Sequence, residues 1–236
     1  MNWKTNVLNF FFPRTCGVCG EDVRLDEPVV CDVCEKSFPR WEDRSCRVCG
    51  LPLPDGGARC FECQHRRRTF RFCRSAGLYE GTLRAAILKM KYGGRDALAD
   101  PLGEALAQIF LARREFQKTE ALIPVPLHFI KRHARGYNQS QLLAESLAKR
   151  TGLPVWNNLL VRSRWGRAQA RCDRKTRLEN VRNVFSVQGD GSAVKGRRLL
   201  LVDDVCTTGA TLESCARVLR EKGAHSVDAL TLARDV

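Results

Sequence analysis

Eight of the chain's twelve cysteines fall into four CxxC pairs: Cys16/Cys19, Cys31/Cys34, Cys46/Cys49 and Cys60/Cys63. The pairs repeat. "CGVCG" at 16 returns as "CRVCG" thirty residues later, and "CDVC" at 31 returns as "CFEC" twenty-nine later. One CxxC turn presents two thiolates to a metal ion, and two turns complete a tetrahedral shell. The segment therefore reads as two zinc sites of four cysteines each. The simplest assignment is Cys16/Cys19/Cys31/Cys34 and Cys46/Cys49/Cys60/Cys63, with crossed pairing between the copies left open. A disulfide framework would suit an exported chain, and a redox dithiol needs one pair rather than four in tandem. No open coordination position is suggested, so the metals are expected to be structural. They would supply on the order of 10–16 kcal/mol each, as in finger-like peptides, to a segment poor in core formers. Cys73, Cys172, Cys206 and Cys215 lie outside the repeat and read as packing residues.

The 236 residues allow one sizeable α/β domain beside a small module. We place the zinc module at 1–70 and the larger domain at 71–236. No apolar run approaches the roughly 18 residues that span a membrane. The N-terminal "MNWKTNVLNFFFP" lacks a small-residue cleavage site, so it is expected to pack rather than direct export. A cytoplasmic protein is the expectation.

Beyond residue 70 the pattern alternates. "FCRSAGLYEG" ends in a strand with Gly81 at the turn out of it. "TLRAAILKMKY" is a helix with Thr82 as its N-cap, and "GGR" breaks it before a second helix, "DALADPLGEALAQIFLARRE". "ALIPVP" is a short buried strand stopped by its prolines. "QSQLLAESLAKRTG" is a helix closed by Gly152. "LPVWNNLLV" and "NVFSV" read as strands around a basic stretch. "RRLLLVDD" is a strand, "GATLESCARVLREKG" a helix ending at Gly223, and "AHSVDALTLA" a last strand. Strands alternating with helices mean a parallel sheet covered on both faces, with ligands at the carboxyl ends of its strands.

"LLLVDDVCTTGATL", residues 199–212, lies at such an end. Asp203 and Asp204 emerge from an apolar strand, and a Thr/Gly loop leads into a helix near Ala210. Backbone N–H groups at the helix start, with the hydroxyls of Thr207, Thr208 and Thr211, form an anion cradle. Gly209 lets the backbone approach without a Cβ in the way. Carboxylates beside a phosphate cradle make sense if they accept hydrogen bonds from nearby hydroxyls, and a ribose 5-phosphate has that layout.

The motif resembles the PRPP-binding motif of type I phosphoribosyltransferases. That resemblance implies that Asp203 and Asp204 hold the ribose hydroxyls. It implies that Val205, Cys206, Thr207, Thr208, Gly209, Ala210 and Thr211 hold the 5-phosphate. Together with the cysteine repeat, "YEGTLRAAILKMKYGGR", "IPVPLHFIKRHARGYNQSQLLA" and "RAQARCDRKTRLENVRNVF", it resembles the ComF family (ComFC/GntX-like) of bacterial competence and DNA-utilisation proteins over nearly the whole chain. The implied fold is α/β: a type I phosphoribosyltransferase fold, a parallel sheet with helices on both faces, preceded by a small four-cysteine zinc-ribbon module. By the same resemblance Lys131, Arg132 and Arg135 belong to a pyrophosphate loop. Residues 162–177 stand where the fold has its lid, with Arg162, Arg164, Arg167, Arg171, Arg174, Lys175 and Arg177 against the single acid Asp173. Arg164 and Arg167 are the lid cations expected to act in catalysis beside Asp203 and Asp204. Mg²⁺ is implied on pyrophosphate and ribose oxygens. The acceptor, and whether turnover occurs, are left open by the resemblance. Cys206 is not expected to be a nucleophile, because displacement at C1 needs none.

The formal net charge is +14, of which residues 1–75, with 13 Lys/Arg against 10 Asp/Glu, contribute only +3. An anionic partner is the natural reading, phosphorylated small molecule or nucleic acid, although a basic face can also be merely solvated. Single-stranded DNA is expected on Arg66, Arg67, Arg68, Phe70 and Arg71 and on Arg171, Arg174, Lys175 and Arg177. Phe70 and Phe72, interleaved with arginines, either stack on bases or pack the zinc module onto the main domain. The resemblance to the ComF family implies a PRPP-binding protein that handles single-stranded DNA in DNA uptake during natural transformation, with a helicase-like protein as a possible partner of the zinc module. The alternative is a Mg²⁺-dependent phosphoribosyltransferase with no DNA role.

Overall fold

A computed structural model describes residues 14–23, 29–38, 44–162 and 184–236. The cysteine repeat folds as a repeat. In the first copy a knuckle lies between strands β1 (Arg14–Thr15) and β2 (Asp22–Val23). Cys16 N–H donates to Glu21 O and Gly20 N–H to Cys16 O. In the second copy Cys46 N–H donates to Leu51 O and Gly50 N–H to Cys46 O, the same pattern thirty residues on. Gly20 and Gly50 both take positive φ, +86° and +70°, which a Cβ would oppose. The second CxxC of each copy opens a short helix, α1 (Asp32–Lys36) and α2 (Phe61–His65).

Among the described residues four strands form one all-parallel sheet: β3 (Cys73–Leu78), β4 (Ala121–Pro124), β7 (Arg198–Cys206) and β8 (Ser226–Arg234), in the order β3-β8-β7-β4. The helices α3 (Gly81–Tyr92), α4 (Ala99–Ala112), α5 (Phe129–Arg135), α6 (Gln139–Thr151) and α7 (Ala210–Glu221) fill the connections. Side chains alternate across the sheet with the strand period of two. Leu122, Leu200, Val202 and Leu230 face one core, with α3, α4 and α6. Ala121, Ile123, Leu199, Leu201 and Ala229 face the other, with α7.

The two zinc-binding copies divide between these cores. Cys16 and Cys34 pack with Leu83, Ile87 and Leu98, whereas Cys46, Cys49, Cys60 and Cys63 pack with Phe70, Cys73 and Leu212. Both seats are tight: a Cβ on Gly17 would lie 2.7 Å from Leu98 Cδ2, and one on Gly50 2.8 Å from Cys73 O. Each copy is thus clamped to an opposite face of one sheet.

Several expectations are corrected. Thr82 does not cap α3. Glu80 holds the N-cap position, and the Thr82 hydroxyl donates to Ser37 O at 2.9 Å, tying the first zinc-binding copy to the helix. Strand structure in "LPVWNNLLV" is confined to β5 (Leu160–Arg162), apart from a single bridge from Val155 to Leu122. β5 pairs antiparallel with β6 (Phe185–Val187), outside the main sheet. The segment after β4 contains a helix, α5, where a loop is expected. Phe70 and Phe72 are 1% and 7% exposed, so they pack and are not available to stack on bases. Arg71 lies against the Phe72 ring and pairs with the buried Asp228 at 2.6 Å. Among the described residues no helix is long and apolar enough to cross a membrane.

Phe70 is wedged under the loop after β7, within 3.7 Å of where a Gly209 Cβ would stand. Phe70→Ala is expected to cost about 3–5 kcal/mol of stability, the range for buried Phe truncations, measured by denaturant unfolding. A loss below about 1 kcal/mol, as at exposed sites, would contradict a core role.

Candidate functional site

Strand β7 is apolar through Val202 and then places two carboxylates at its carboxyl end, Asp203 9% and Asp204 4% exposed. Each carboxylate is held from a different direction. Asp203 Oδ1 accepts from Ser140 Oγ at 2.8 Å, in the first turn of α6, and from the Asp204 N–H at 2.9 Å. Asp204 Oδ1 pairs with Lys91 Nζ at 2.9 Å, from the last turn of α3. Asp204 Oδ2 is buried and has no hydrogen-bond partner among the described residues. An orphaned carboxylate oxygen in a buried site is costly, and it marks the place where a ligand hydroxyl or a cation fits.

Burial, and then the adjacent Asp204 charge, push the Asp203 carboxyl up to about 7. Ser140, the Asp204 N–H and Lys91 pull the other way without prevailing. A folded-state value above the unfolded one means that this group's contribution is full below about 4 and is lost as pH rises through about 7. With Asp203→Asn, the stability difference from the native chain should therefore shift in favour of the variant between pH 5.5 and 7.5. Urea unfolding of both proteins across that range checks this, and a constant difference would contradict it.

Beyond the acids, Thr207, Thr208 and Thr211 are exposed, and Gly209, φ +75°, forms the N-cap of α7. The loop carbonyls are gripped from behind. Arg68 donates to Thr208 O at 3.2 Å, and Arg234 donates to Cys206 O at 3.2 Å and to Thr207 O. With those carbonyls turned back onto cations, exposed Thr207, Thr208 and Thr211 stand around the start of α7, and Thr208 Oγ1 accepts from the Ala210 N–H at 3.3 Å, a grouping of hydroxyls and N–H groups of the kind an anion cradle uses. Thr69 N–H and Oγ donate to Glu213 in the first turn of α7, so segment 68–70 of the second zinc-binding copy braces this loop. The hydrogen bond from Cys73 lowers Cys206 to about 7 against its burial, aided by Arg234. Cys206 is 2% exposed and faces the core, which fits no nucleophilic role.

The segment between β4 and α6 is tied to its neighbours by its own side chains. Asn138 Nδ2 donates to Val125 O while its Oδ1 caps α6 through Ser140 N–H. Tyr137 OH donates to Met90 O, and Arg135 donates to Gln139 Oε1. Lys131 and Arg135 line one cleft of about 410 Å³ with Lys91 and Tyr92, whereas Arg132 faces another with Phe129, Ile130 and His133. The structure thus separates Arg132 from the other two predicted pyrophosphate ligands. Lys91, Asn138, Ser140 and Arg234 carry no expected role from sequence, although "KMKYGG" and "GYNQS" stand out there as motifs.

Of the nucleic-acid candidates, Arg66 and Arg67 are exposed. Arg68 is spent on the loop and on Glu62, and Arg71 on Asp228. Arg164, Arg167, Arg171, Arg174, Lys175 and Arg177 lie outside the described residues.

The sulfurs of Cys16, Cys19, Cys31 and Cys34, and those of Cys46, Cys49, Cys60 and Cys63, each lie within 4.8 Å of one another. The pairing within each copy is the one formed. Four thiols converging from two CxxC turns suit tetrahedral zinc, and the chemistry zinc supplies there is cross-linking of the fold. Elemental analysis should give two zinc ions per chain and Cys63→Ser one fewer; an unchanged metal content would contradict the assignment.

Residues 7–64 match the double zinc ribbon domain family, and residues 101–235 the phosphoribosyl transferase domain family. The chain is similar to Competence protein F of Haemophilus influenzae, 31% identical over 237 residues, covering 97% of this chain and 100% of that one. Competence protein ComFC of Bacillus subtilis is 28% identical over 87% of this chain and 84% of that one. DNA utilization protein YhgH of Salmonella typhimurium is 29% identical over 94% and 97%. Among solved structures, the glutamine phosphoribosylpyrophosphate amidotransferase from B. subtilis, complexed with ADP and GMP, aligns at 23% identity with a TM-score of 0.43. The alignment covers 61% of this chain and 30% of that longer one.

Proposed function

This chain belongs to the ComF family, a double zinc ribbon joined to a phosphoribosyltransferase domain, and on that premise we propose that it binds PRPP at Asp203 and Asp204. In this reading the ribbon unit spans 1–70 and the sugar-phosphate domain 71–236. The observation that carries it is the orphaned Asp204 Oδ2, buried beside an exposed hydroxyl loop at the carboxyl end of a parallel strand. The ribose hydroxyls would donate to the two carboxylates, and loop 205–211 would take the 5-phosphate at the start of α7. Lys131 and Arg135 would face the pyrophosphate. A divalent cation such as Mg²⁺ fits the same oxygens and would neutralise the diphosphate. If an acceptor attacks C1, pyrophosphate leaves with the bonding pair, and Arg164 and Arg167 would stabilise the departing charge.

The second element of the proposal is a role in DNA uptake, acting in the cytoplasm on incoming single strands. It draws on the relatives named for competence and DNA utilization and on the +14 charge. Arg66, Arg67 and the basic run Arg171, Arg174, Lys175 and Arg177 would meet the phosphates. A helicase-like partner for the ribbons belongs to the same reading. The competing reading, an enzyme with an unidentified acceptor and no DNA role, draws on the intact Asp-Asp-Thr-Gly site.

Calorimetric titration of PRPP into the zinc-loaded protein should give saturable, Mg²⁺-dependent binding that is lost in Asp203→Ala/Asp204→Ala. Absence of heat in the native protein would overturn the sugar-phosphate reading. Anisotropy with a labelled single-stranded oligonucleotide should show log affinity falling with log salt by about 0.7 per phosphate contacted, with weak competition by PRPP at low salt. Salt-independent or absent binding would leave the enzyme reading standing.

A further inference from the structure

Lys91 faces two ways. On one side its ammonium pairs with Asp204 Oδ1 at 2.9 Å, with the lysine side chain 17% and the aspartate side chain 6% exposed. On the other it lines the cleft shared by Tyr92, Gly94, Lys131, Ala134 and Arg135, which contains three cations and no acid among those lining residues. Among the described residues Asp204 therefore has one oxygen covered by a lysine and one with no partner. A ligand hydroxyl that takes Oδ1 competes there with the ammonium, and loosening a buried pair without a substitute partner is unfavourable. A sugar bearing only a 5-phosphate offers that ammonium no anion at C1. A sugar that also bears a polyanion at C1, directed into the cleft, offers it charge-assisted hydrogen bonds at close to no cost in position. The flexible four-carbon stem of lysine suits such an exchange.

We propose that Lys91 is a specificity-determining residue: it covers Asp204 in the empty site and transfers to the pyrophosphate oxygens on binding, so that the site selects a 1-pyrophosphorylated ribose over ribose 5-phosphate. The proposal rests on the PRPP reading above. A ligand shifts an equilibrium only by its differential affinity for the two states, and here the difference resides in the diphosphate. A lysine that merely held the fold together would affect both ligands alike.

The test is calorimetry of PRPP and of ribose 5-phosphate, each with Mg²⁺, on the zinc-loaded native protein and on Lys91→Met, with thermal melts alongside. The native protein should prefer PRPP. Lys91→Met should weaken PRPP by about 10- to 100-fold, the loss of one hydrogen bond to a charged group, while ribose 5-phosphate binds as well as before or better. Lys91→Gln, which keeps a donor for Asp204 without the charge, should show the same collapse of discrimination and serves if the methionine variant does not fold. Lys91→Arg should retain part of it. Equal weakening of both ligands, or no change in either, would overturn the proposal while the PRPP reading stands. Failure of the native protein to bind either ligand would overturn both.

Discussion

Two adjacent carboxylates buried at the end of one strand are the constraint around which this molecule is arranged. Asp203 and Asp204 cannot both sit there charged without help, and the surrounding elements supply it from separate directions. Ser140 arrives on α6, positioned by the Asn138 cap, and Lys91 arrives at the end of α3. Burial still prevails at Asp203, and one oxygen of Asp204 remains without a partner among the described residues. A fold selected for stability alone would put apolar residues at this position, as β7 does up to Val202. The residual electrostatic strain is what gives a hydroxyl-bearing ligand something to satisfy.

The zinc-binding copies extend this logic. They are not a separate appendage: each contributes cysteines to one of the two cores. The first is clamped to α3, the helix that carries Lys91, and to Leu98 just before α4. The second braces the loop after β7 through Arg68, Thr69 and Phe70. Cross-linking two short, core-poor segments with metal thus fixes both flanks of the acid pair, at distances the local chain could not hold by itself. The arginines and phenylalanines of segment 66–72 are read most economically this way, with Arg66 and Arg67 left facing solvent.

Much of this is legible in the sequence, and the boundary has a physical cause. The cysteine spacing, the apolar run ending in Asp203 and Asp204, and Gly152 and Gly209 after and before helices are local signals, readable from period and chemistry. Lys91 is silent because its partner is far away in the chain, and a lysine near a helix end reads as solvated. Ser140 and Asn138 look like ordinary helix-start residues, and they are; the second role of Ser140 appears only when α6 docks against β7. The misreading of Thr82 and of Phe70 shares a cause. Each is locally suited to one task, capping or stacking, but tertiary packing against Ser37 and against Gly209 assigns it another. The antiparallel β5–β6 pair is hidden for a related reason: its alternation is short, and a strand of three residues fits either sheet.

The most direct measurement is a crystal structure of the zinc-loaded protein with PRPP and Mg²⁺. The account predicts ribose hydroxyls within hydrogen-bond distance of Asp203 and Asp204, the 5-phosphate in loop 205–211, and Lys91 Nζ on a pyrophosphate oxygen instead of Asp204. A structure in which the sugar binds elsewhere, with the Lys91–Asp204 pair intact, would contradict it.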